Sequence, residues 1–319
     1  MPRIVVTRSI PEPALELLRT AGEVDEFGAE RAMTPDELRE AVRGADAVVT
    51  AIPDRIDDAV AEAAGPQLRV VSTIAVGYDN LDVPALAARG VEVTNTPGVL
   101  VEATADITWG LLLSVTRRLG EGERLLRARQ PWAFSLSFML GTGLQDKTLG
   151  IVGLGHIGQA VARRGRAFGM EIAYSGRRRV DDDVESELDA RFMELPELLE
   201  YADVVSLHCP LTPETRHLID DAALRRMRST AILVNTSRGP VVDEDALANA
   251  LGRDEIAGAA LDVFEDEPRV HPGLLDRDDV ALAPHLGSAT VETRTEMAML
   301  AARNVVGVLG GDGPVTPIR

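Results

Sequence analysis

Three residues in the last third of the chain have side chains suited to carbonyl chemistry, and each follows a strand-like run. Arg238 follows AILVNTS, Glu267 follows IAGAALDVFED, and His285 stands in VALAPHLG. An arginine presents a permanent planar charge to a carboxylate, and a histidine can exchange a proton near neutral pH. Taken singly, each also fits an ordinary role as a surface arginine, a turn glutamate or a histidine with a structural hydrogen bond. The elements around them must decide between the two interpretations.

A glycine-rich turn lies upstream of these residues. Gly153, Gly155 and Gly158 stand in GLGHIG, between the strand-like TLGIV and the helix-like AVARRGRAFG. In such a turn the first glycine permits a sharp bend, the second lets the backbone approach a pyrophosphate, and the third lets helix and strand pack closely. The amides at the start of the helix then face the phosphates. We expect a dinucleotide site here; the alternative is that the glycines serve packing alone.

The next strand-like run, IAY, ends in SGRRR, where dinucleotide-binding folds commonly carry an acidic residue for the ribose hydroxyls. No aspartate or glutamate stands at this place in the sequence. Ser175, Arg177, Arg178 and Arg179 would bind a ribose 2′-phosphate through charge-assisted hydrogen bonds, whereas a carboxylate would repel it. The pattern favours NADPH as the cofactor. The alternative is an arginine-rich solvated turn, with NADH used as well.

Strand-like and helix-like segments alternate along the chain, which predicts mostly parallel sheets. The fold class is therefore α/β, with two doubly wound parallel-sheet domains. We place one domain at 1–98 and 289–319 and the other, which binds the dinucleotide, at 99–288. The strand-like runs are 3–8, 45–51, 68–74, 91–96, 148–155, 171–176, 203–209, 231–237, 256–264 and 280–287.

Helical patterns connect these strands. Thr34 and Glu37 form a capping box at the start of TPDELREAVRG. A long helix is predicted at 105–130 and a closing helix at 288–310. After the long helix, PWAFSLSFMLGTG (131–143) is rich in aromatic residues, which are costly to expose to water.

Composition argues against several classes of function. The chain has 319 residues and a net charge of −18, which disfavours binding to nucleic acid or to an anionic membrane. Apolar runs are too short to span a bilayer, and the N-terminus does not resemble a cleavable signal peptide. The single cysteine, Cys209, cannot form an intramolecular disulfide or a cysteine-type zinc site by itself. We therefore expect no metal and a cytoplasmic location.

The same segments resemble the D-isomer-specific 2-hydroxyacid dehydrogenases, and the likeness covers nearly the whole chain. Within that family the chain is most similar to the glyoxylate and hydroxypyruvate reductases. The resemblance implies a flavodoxin-like substrate domain, a Rossmann-like cofactor domain and an active site in the cleft between them. It rests on VGYDNLD (76–82), TPGVLVEATAD (96–106), HCPLTPETRHLI (208–219), NTSRGPVVDEDAL (235–247), AGAALDVFEDEP (257–268) and LAPHLGSAT (282–290).

The resemblance also implies a role for each candidate residue. Arg238 would hold the substrate carboxylate and polarise the neighbouring carbonyl, and His285 would protonate the carbonyl oxygen as hydride arrives. Glu267 would hydrogen-bond the other imidazole nitrogen and stabilise the imidazolium. The implied substrate contacts are Val76, Gly77, Arg238 and Ser288. The implied cofactor contacts are Gly153, Gly155, His156, Ile157, Gly158, Ser175, Arg177, Arg178, Arg179, Cys209, Pro210, Thr215, Thr236, Ser237, Asp262, His285 and Gly287.

These implications predict an NADPH-dependent reductase of a small 2-oxo acid, giving glycolate from glyoxylate or D-glycerate from hydroxypyruvate, with NAD as a possible cofactor. One alternative is a D-lactate or other D-2-hydroxyacid dehydrogenase. Another, of a different class, is a dinucleotide-sensing interaction protein similar to the family's transcriptional corepressors. The family builds a two-fold dimer near the long helix, so we expect a homodimer through the cofactor domain. Trp132, Phe134 and Phe138 would be buried against the second subunit.

Overall fold

A computed structural model describes residues 1–28 and 31–318 of the chain. The chain divides into two compact units, Met1–Leu100 with Ser288–Arg319 and Val101–Gly287. Each unit contains a parallel sheet whose strands are connected by helices, so the predicted α/β class with two parallel-sheet units is confirmed. Arg319, the last residue of the predicted first domain, lies outside the described residues.

The first unit contains a five-stranded parallel sheet. Its strands are β1 Arg3–Val6, β2 Glu23–Glu26, β3 Ala47–Thr50, β4 Val70–Thr73 and β5 Glu92–Thr94. Its first four helices are α1 Glu12–Arg19, α2 Pro35–Ala41, α3 Asp58–Ala64 and α4 Val83–Ala88. The sheet order is β2-β1-β3-β4-β5, the flavodoxin-like order, in which the strand order reverses between β1 and β3.

Local sequence explains these elements. The AVVT of β3 and the VVST of β4 are fully buried, as expected for parallel strands covered on both faces. The predicted capping box of α2 is confirmed: Thr34 Oγ1 accepts a hydrogen bond from the Glu37 amide at 3.3 Å, and the Glu37 carboxylate accepts one from the Thr34 amide at 2.8 Å. Strand β2 (EVDE) is largely exposed at the sheet edge and has no apolar alternation, so the sequence patterns do not indicate it.

The second unit contains a seven-stranded parallel sheet. Its strands are β6 Thr148–Val152, β7 Glu171–Ser175, β8 Ala190–Phe192, β9 Val204–Leu207, β10 Ile232–Asn235, β11 Gly258–Leu261 and β12 Val280–Leu282. Its helices are α5 Val101–Thr116, α6 Leu119–Arg127, α7 His156–Ala167, α8 Asp182–Leu188, α9 Leu195–Tyr201, α10 Asp221–Arg226, α11 Glu244–Gly252 and α12 Pro272–Leu275. The order is β12-β11-β10-β9-β6-β7-β8, so the strand order reverses between β6 and β9, as in a Rossmann fold.

The prediction of one continuous helix over 105–130 is wrong. Helix α5 ends at Thr116 and α6 begins at Leu119, because Arg118 adopts the left-handed region at φ 54°. The two helices also differ in burial: α5 carries buried Trp109 and Leu112, whereas no residue of α6 is buried. The helical pattern in the sequence continues through a turn that only the backbone conformation reveals.

Helix α13, Val291–Gly310, belongs to the first unit and packs against α1, β3 and β4. It begins where the Thr290 hydroxyl accepts a hydrogen bond from the Thr293 amide at 3.0 Å. It ends at Gly311, whose φ of 93° suits a glycine cap. Its buried face joins an apolar core formed with β1 and α1 by residues that include Ala298, Ala301, Val305, Ile4 and Leu15.

Candidate active site

Three neighbouring strands of the second unit bring the candidate catalytic residues to one edge of the sheet. Strands β10, β11 and β12 are adjacent and parallel, so their carboxyl ends lie side by side. Arg238 follows β10, Asp262 follows β11 and His285 follows β12. Ligands of open α/β sheets bind outside the carboxyl ends of the strands. A cation, a carboxylate and an imidazole therefore share the edge where the topology favours a site.

Glu267 and His285 form a direct pair. His285 Nδ1 lies 2.9 Å from Glu267 Oε2, and Glu267 Oε1 accepts a hydrogen bond from the Phe264 amide at 3.1 Å. Partial burial opposes ionisation of Glu267, but His285, the Phe264 amide and the charge of Arg238 outweigh it, so the pKa of Glu267 lies below its ordinary value. Glu267 is therefore a carboxylate at neutral pH. Its bond to Nδ1 leaves Nε2 as the ring nitrogen that can exchange a proton with a ligand.

The loop that carries Arg238 is fixed by short-range hydrogen bonds. Asn235 Nδ2 donates to the Arg238 carbonyl at 2.9 Å, and Asn235 Oδ1 accepts from the Ser237 amide at 3.0 Å and from the Ser237 hydroxyl at 2.8 Å. Gly239 lies against the loop that leads to Glu267, because a Cβ at this position would be 1.9 Å from the Phe264 carbonyl carbon. Only a glycine permits the Arg238 and Glu267 loops to approach this closely.

Asp262 is a buried carboxylate that shapes the loop of His285. Its Oδ1 accepts a hydrogen bond from the Leu286 amide at 2.6 Å, and its carbonyl accepts one from the His285 amide at 2.8 Å. Burial raises the pKa of Asp262, although the Leu286 amide and the charge of His285 oppose that rise. His285 has a φ of 53°, in the left-handed region that residues with a Cβ seldom adopt. Asp262 thus stabilises an unfavourable backbone conformation at the histidine predicted to transfer a proton.

The glycine-rich turn between β6 and α7 has the shape of a phosphate cradle. Gly153 has a φ of 95°, and a Cβ there would lie 2.9 Å from the Cys209 amide nitrogen. A Cβ at Gly158 would lie 2.4 Å from the Gly153 carbonyl oxygen. Gly155 is the N-cap of α7. A Cβ built at this residue would have no atom of the described residues within 4 Å, apart from atoms of Gly155 itself and of its two neighbours in the chain. This open space at a helix N-terminus fits the pyrophosphate of a dinucleotide, and His156 and Ile157 begin the helix beside it.

The arginine turn after β7 lies next to the glycine turn. The Gly153 amide donates to the carbonyl of Ser175, the buried last residue of β7, at 2.8 Å. Arg179 is held by helix α8, since its Nε and Nη2 donate to Glu185 at 3.1 and 2.7 Å. Arg177 and Arg178 are exposed on the same turn. The prediction of a phosphate contact therefore rests mainly on these two residues.

Further predicted cofactor residues follow β9. Cys209 is buried, and that burial raises the pKa of its thiol to about 11, so the side chain is an uncharged thiol at neutral pH. Pro210 is exposed, and its carbonyl accepts a hydrogen bond from Thr215 Oγ1 at 2.7 Å. The Thr215 hydroxyl thus closes the turn over 210–215. Its role toward a cofactor stays a prediction.

Two threonines of α5 that were not among the predicted site residues reach this edge of the sheet. Thr108 Oγ1 lies 2.8 Å from the hydroxyl of the predicted cofactor residue Thr236. Thr104 Oγ1 donates to the carbonyl of the predicted cofactor residue Gly287 at 3.1 Å. Both threonines are buried, and residues four apart on a helix share one face. Helix α5 also carries other polar residues, among them Glu102, Asp106 and Ser114, so the sequence alone does not single out these two threonines.

The other predicted substrate residues belong to the first unit. Val76 and Gly77 lie in the loop after β4, where the Val76 carbonyl accepts a hydrogen bond from Asn95 Nδ2 at 2.8 Å. Ser288 is the first residue of the segment that leads to α13, and it is partly exposed. Their contacts with substrate stay predictions.

Within residues 1–28 and 31–318, no group of three or more His, Cys, Asp or Glu residues could hold a metal ion. Nor does any helix there have the length and apolar character needed to cross a membrane.

Comparisons with known proteins identify the family. The family described as D-isomer specific 2-hydroxyacid dehydrogenase, NAD binding domain, matches residues 109–287. The glyoxylate reductase of Thermococcus onnurineus is 47% identical over 100% of this chain and 96% of its own length. The glyoxylate reductase of Korarchaeum cryptofilum is 49% identical over 98% of this chain and 94% of its own length.

A solved structure extends the likeness to three dimensions. The NADPH-dependent glyoxylate/hydroxypyruvate reductase of Sinorhizobium meliloti, in complex with NADP and malonate, is 36% identical to this chain with a TM-score of 0.86. The match covers 99% of this chain and 96% of the other. The chain belongs to the D-isomer-specific 2-hydroxyacid dehydrogenase family, as the sequence resemblance implied. It is an oxidoreductase that uses a nicotinamide dinucleotide.

Proposed function

We propose that this protein reduces small 2-oxo acids with NADPH, converting glyoxylate to glycolate and hydroxypyruvate to D-glycerate. The observation that carries the proposal is the 2.9 Å pair of His285 Nδ1 and Glu267 Oε2. It joins the chain after β12 to the chain after β11, and β11 is the neighbour of β10, which precedes Arg238. The relatives named glyoxylate reductase support this substrate class, because their identity extends over nearly the full length of the chain.

The side chains divide the reaction between them. Arg238 binds the substrate carboxylate and draws electron density from the adjacent carbonyl. The nicotinamide, when bound, supplies a hydride to the carbonyl carbon. His285 gives the Nε2 proton to the carbonyl oxygen, and Glu267 stabilises the imidazolium that precedes this transfer. The amides of Val76 and Gly77 and the hydroxyl of Ser288 are the further substrate contacts that the family resemblance implies.

The reaction can be followed by the absorbance of NADPH. We expect a higher kcat/KM for glyoxylate and hydroxypyruvate than for pyruvate. Arg238→Ala and His285→Ala should each abolish turnover while the circular dichroism spectrum stays that of the wild type. Turnover of pyruvate or a bulkier oxo acid, with none for the first two, would instead indicate a D-lactate or related dehydrogenase. Binding of NADPH without reduction of any oxo acid would favour the dinucleotide-sensing alternative.

NADPH is the proposed cofactor because the turn after β7 presents Arg177 and Arg178 and no acidic side chain at the strand end. The Sinorhizobium meliloti relative, whose structure contains NADP, supports this choice. In the double variant Arg177→Ser/Arg178→Ser, kcat/KM for NADPH should fall about 100-fold, the effect of losing two charge-assisted hydrogen bonds. The value of kcat/KM for NADH should stay nearly the same as in the wild type. Arg191→Ser, at another exposed arginine of this unit, is the matched control, and equal losses with both cofactors would contradict the assignment.

We further propose a homodimer formed through the second unit. Trp132, Phe134 and Leu136 are 57%, 84% and 89% exposed in the single chain. Exposed large apolar side chains at every second position of this segment are unfavourable in water, and a second copy can bury them symmetrically. Light scattering should give twice the mass of one chain, and Phe134→Glu/Leu136→Glu should give a monomer. A monomeric wild type at micromolar concentration would contradict the proposal.

A further inference from the structure

One buried asparagine of α13 holds the segment that follows the helix. Asn304 is fully buried, and its Oδ1 accepts hydrogen bonds from the amides of Val315 and Thr316, both at 2.8 Å. Its Nδ2 donates to the Leu300 carbonyl at 3.1 Å and to Thr316 Oγ1 at 2.8 Å. The amide thereby uses both of its donors and both acceptor positions. Residues 315–316 are thus fixed to the helix by a fully satisfied polar group.

The same hydrogen bonds continue to the loop predicted to bind substrate. Thr316 Oγ1 donates to the Asn95 carbonyl at 2.7 Å. Asn95 Nδ2 donates in turn to the Val76 carbonyl at 2.8 Å. The series Asn304, Thr316, Asn95 and Val76 lies entirely within the first unit. It links α13 to the loop after β4.

These bonds determine where two backbone amides point. The Val76 carbonyl and the Gly77 N–H belong to one planar trans peptide, so they point in opposite directions. A hydrogen bond from Asn95 to that carbonyl therefore sets the direction of the Gly77 N–H. In the preceding peptide, the Ala75 carbonyl accepts from the Thr96 amide at 2.8 Å, which sets the direction of the Val76 N–H in the same way.

We propose that Asn95 and Thr316 are positioning residues that orient the Val76 and Gly77 amides toward the substrate carboxylate. This inference rests on the proposed function, which assigns substrate binding to these amides. Asn95 acts directly on the Val76 peptide, and Thr316, held by Asn304, keeps Asn95 in place. Pre-oriented donors bind an anion more tightly because no order has to be imposed on the loop at the moment of binding.

A simpler role for the segment after α13 is to cover the edge of the first sheet. The Ile318 amide donates to the Val93 carbonyl at 2.8 Å, and Pro317 forms an antiparallel bridge with Thr94 of the edge strand β5. That covering role does not involve the Asn95 side chain. A variant at Asn95 therefore separates positioning of the loop from covering of the edge.

The first variant is Asn95→Leu, which keeps the branched shape and removes the donor. KM for glyoxylate should rise about tenfold. This is the loss of substrate affinity expected when one hydrogen-bond donor to the charged carboxylate is no longer held in its position. The Kd of NADPH, measured by fluorescence titration, should stay at the wild-type value. Hydrogen exchange of the amides in 74–79 should become faster. A wild-type KM for glyoxylate with wild-type exchange over 74–79 would overturn the proposal.

The second variant tests the link through Thr316. Thr316→Val removes the hydroxyl at nearly constant volume and, like Asn95→Leu, should raise KM for glyoxylate. Thr316→Ser keeps a hydroxyl and should have the wild-type KM. Thr20→Val is the matched control, since Thr20 also donates from its hydroxyl to a backbone carbonyl of this unit, at 2.6 Å, but at the end of α1. An equal effect of all three threonine variants would mean a merely structural role and would overturn the proposal.

Hydrogen exchange also separates this inference from the proposed function. If the wild type reduces neither glyoxylate nor hydroxypyruvate, the proposed function fails. The amide exchange rates of residues 74–79 still test whether Asn95 positions this loop. Faster exchange in Asn95→Leu with an unchanged Tm supports the positioning role, and unchanged exchange refutes it.

Discussion

At the level of single residues, Glu267 is the group through which several parts of the site act on His285. The hydrogen bond to His285, the Phe264 amide and the charge of Arg238 all favour its ionised form against the effect of partial burial. A carboxylate at 2.9 Å from Nδ1 both orients the ring and lowers the free energy of the imidazolium. The charge of Glu267 is therefore as important as its hydrogen bond.

Replacing the carboxylate by an amide separates these two contributions. Glu267→Gln keeps the size of the side chain and an acceptor for Nδ1 but has no charge to stabilise the imidazolium. We expect kcat for glyoxylate reduction to fall about 100-fold, within the usual contribution of a general acid. The Kd of NADPH should not change. The neighbouring Asp266→Asn, at an exposed carboxylate paired with Arg269, is the control and should keep the wild-type kcat. A wild-type kcat in Glu267→Gln would remove Glu267 from the mechanism.

At the level of elements, the junction of β6 and α7 offers a test of what each glycine does. A Cβ at Gly155 meets open space and its φ of −77° suits any residue, whereas a Cβ at Gly158 would overlap the Gly153 carbonyl oxygen at 2.4 Å. Gly155→Ala should therefore fold normally and raise the Kd of NADPH about tenfold or more, the factor that corresponds to 1.4 kcal/mol. Gly158→Ala should instead lower the Tm, because the helix must move away from the strand.

The two variants are controls for each other. Calorimetry gives the Tm of each, and fluorescence titration gives the Kd of NADPH. If Gly155→Ala bound NADPH with the wild-type Kd, the pyrophosphate would not lie against this glycine. If Gly158→Ala kept the wild-type Tm, helix and strand could separate without loss, and the third glycine would not be required for packing.

How much of the fold the sequence predicts depends on burial. The buried central strands carry continuous apolar runs, so β3, β4, β6, β9 and β10 all fall within predicted segments. The strands β2 (EVDE) and β8 (ARF) are edge strands with much exposed surface, and no hydrophobic period marks them. The break at Arg118 was missed for another reason. Apolar residues continue on both sides of it, and a positive φ at a non-glycine residue leaves no trace in composition.

The polar residues of the site that follow strand ends could be predicted from the sequence, but the residues that support the site could not. Arg238, Glu267 and His285 could be found because strand ends of a parallel sheet are where ligands bind. Thr104 and Thr108 could not be placed from a helix whose strand neighbours were unknown. The engagement of Arg179 by Glu185 was equally hidden, since it joins the arginine turn to α8 through side-chain geometry alone.

At the scale of the whole molecule, the second unit can be observed separately from the first. Both tryptophans of the chain, Trp109 and Trp132, belong to the second unit. Trp109 is 5% exposed and stacks on Phe168 with ring centroids 4.5 Å apart. Its fluorescence should change when this unit unfolds. Unfolding followed by tryptophan emission therefore reports the stability of the second unit without a contribution from tryptophans in the first.

His208 makes that stability depend on pH. Its Nε2 lies 2.8 Å from the hydroxyl of buried Ser206, and burial lowers the pKa of His208 from 6.5 to about 3. The folded state thus keeps the imidazole neutral over a range in which the unfolded chain takes up a proton. Below pH 6.5 the unfolded state binds more protons at His208, so the contribution of this group to the free energy of unfolding falls as the pH falls.

We expect this single group to remove about 2 kcal/mol of stability between about pH 7.5 and about pH 5. The measurement is urea unfolding by tryptophan emission at both pH values, for the wild type and for His208→Gln. Glutamine keeps a polar group near Ser206 but cannot take up a proton, so the loss of the hydrogen bond contributes equally at both pH values and cancels. The stability of the wild type relative to the variant should therefore be about 2 kcal/mol lower at the acid pH. An unchanged difference would mean that the folded state protonates His208 as readily as the unfolded chain does.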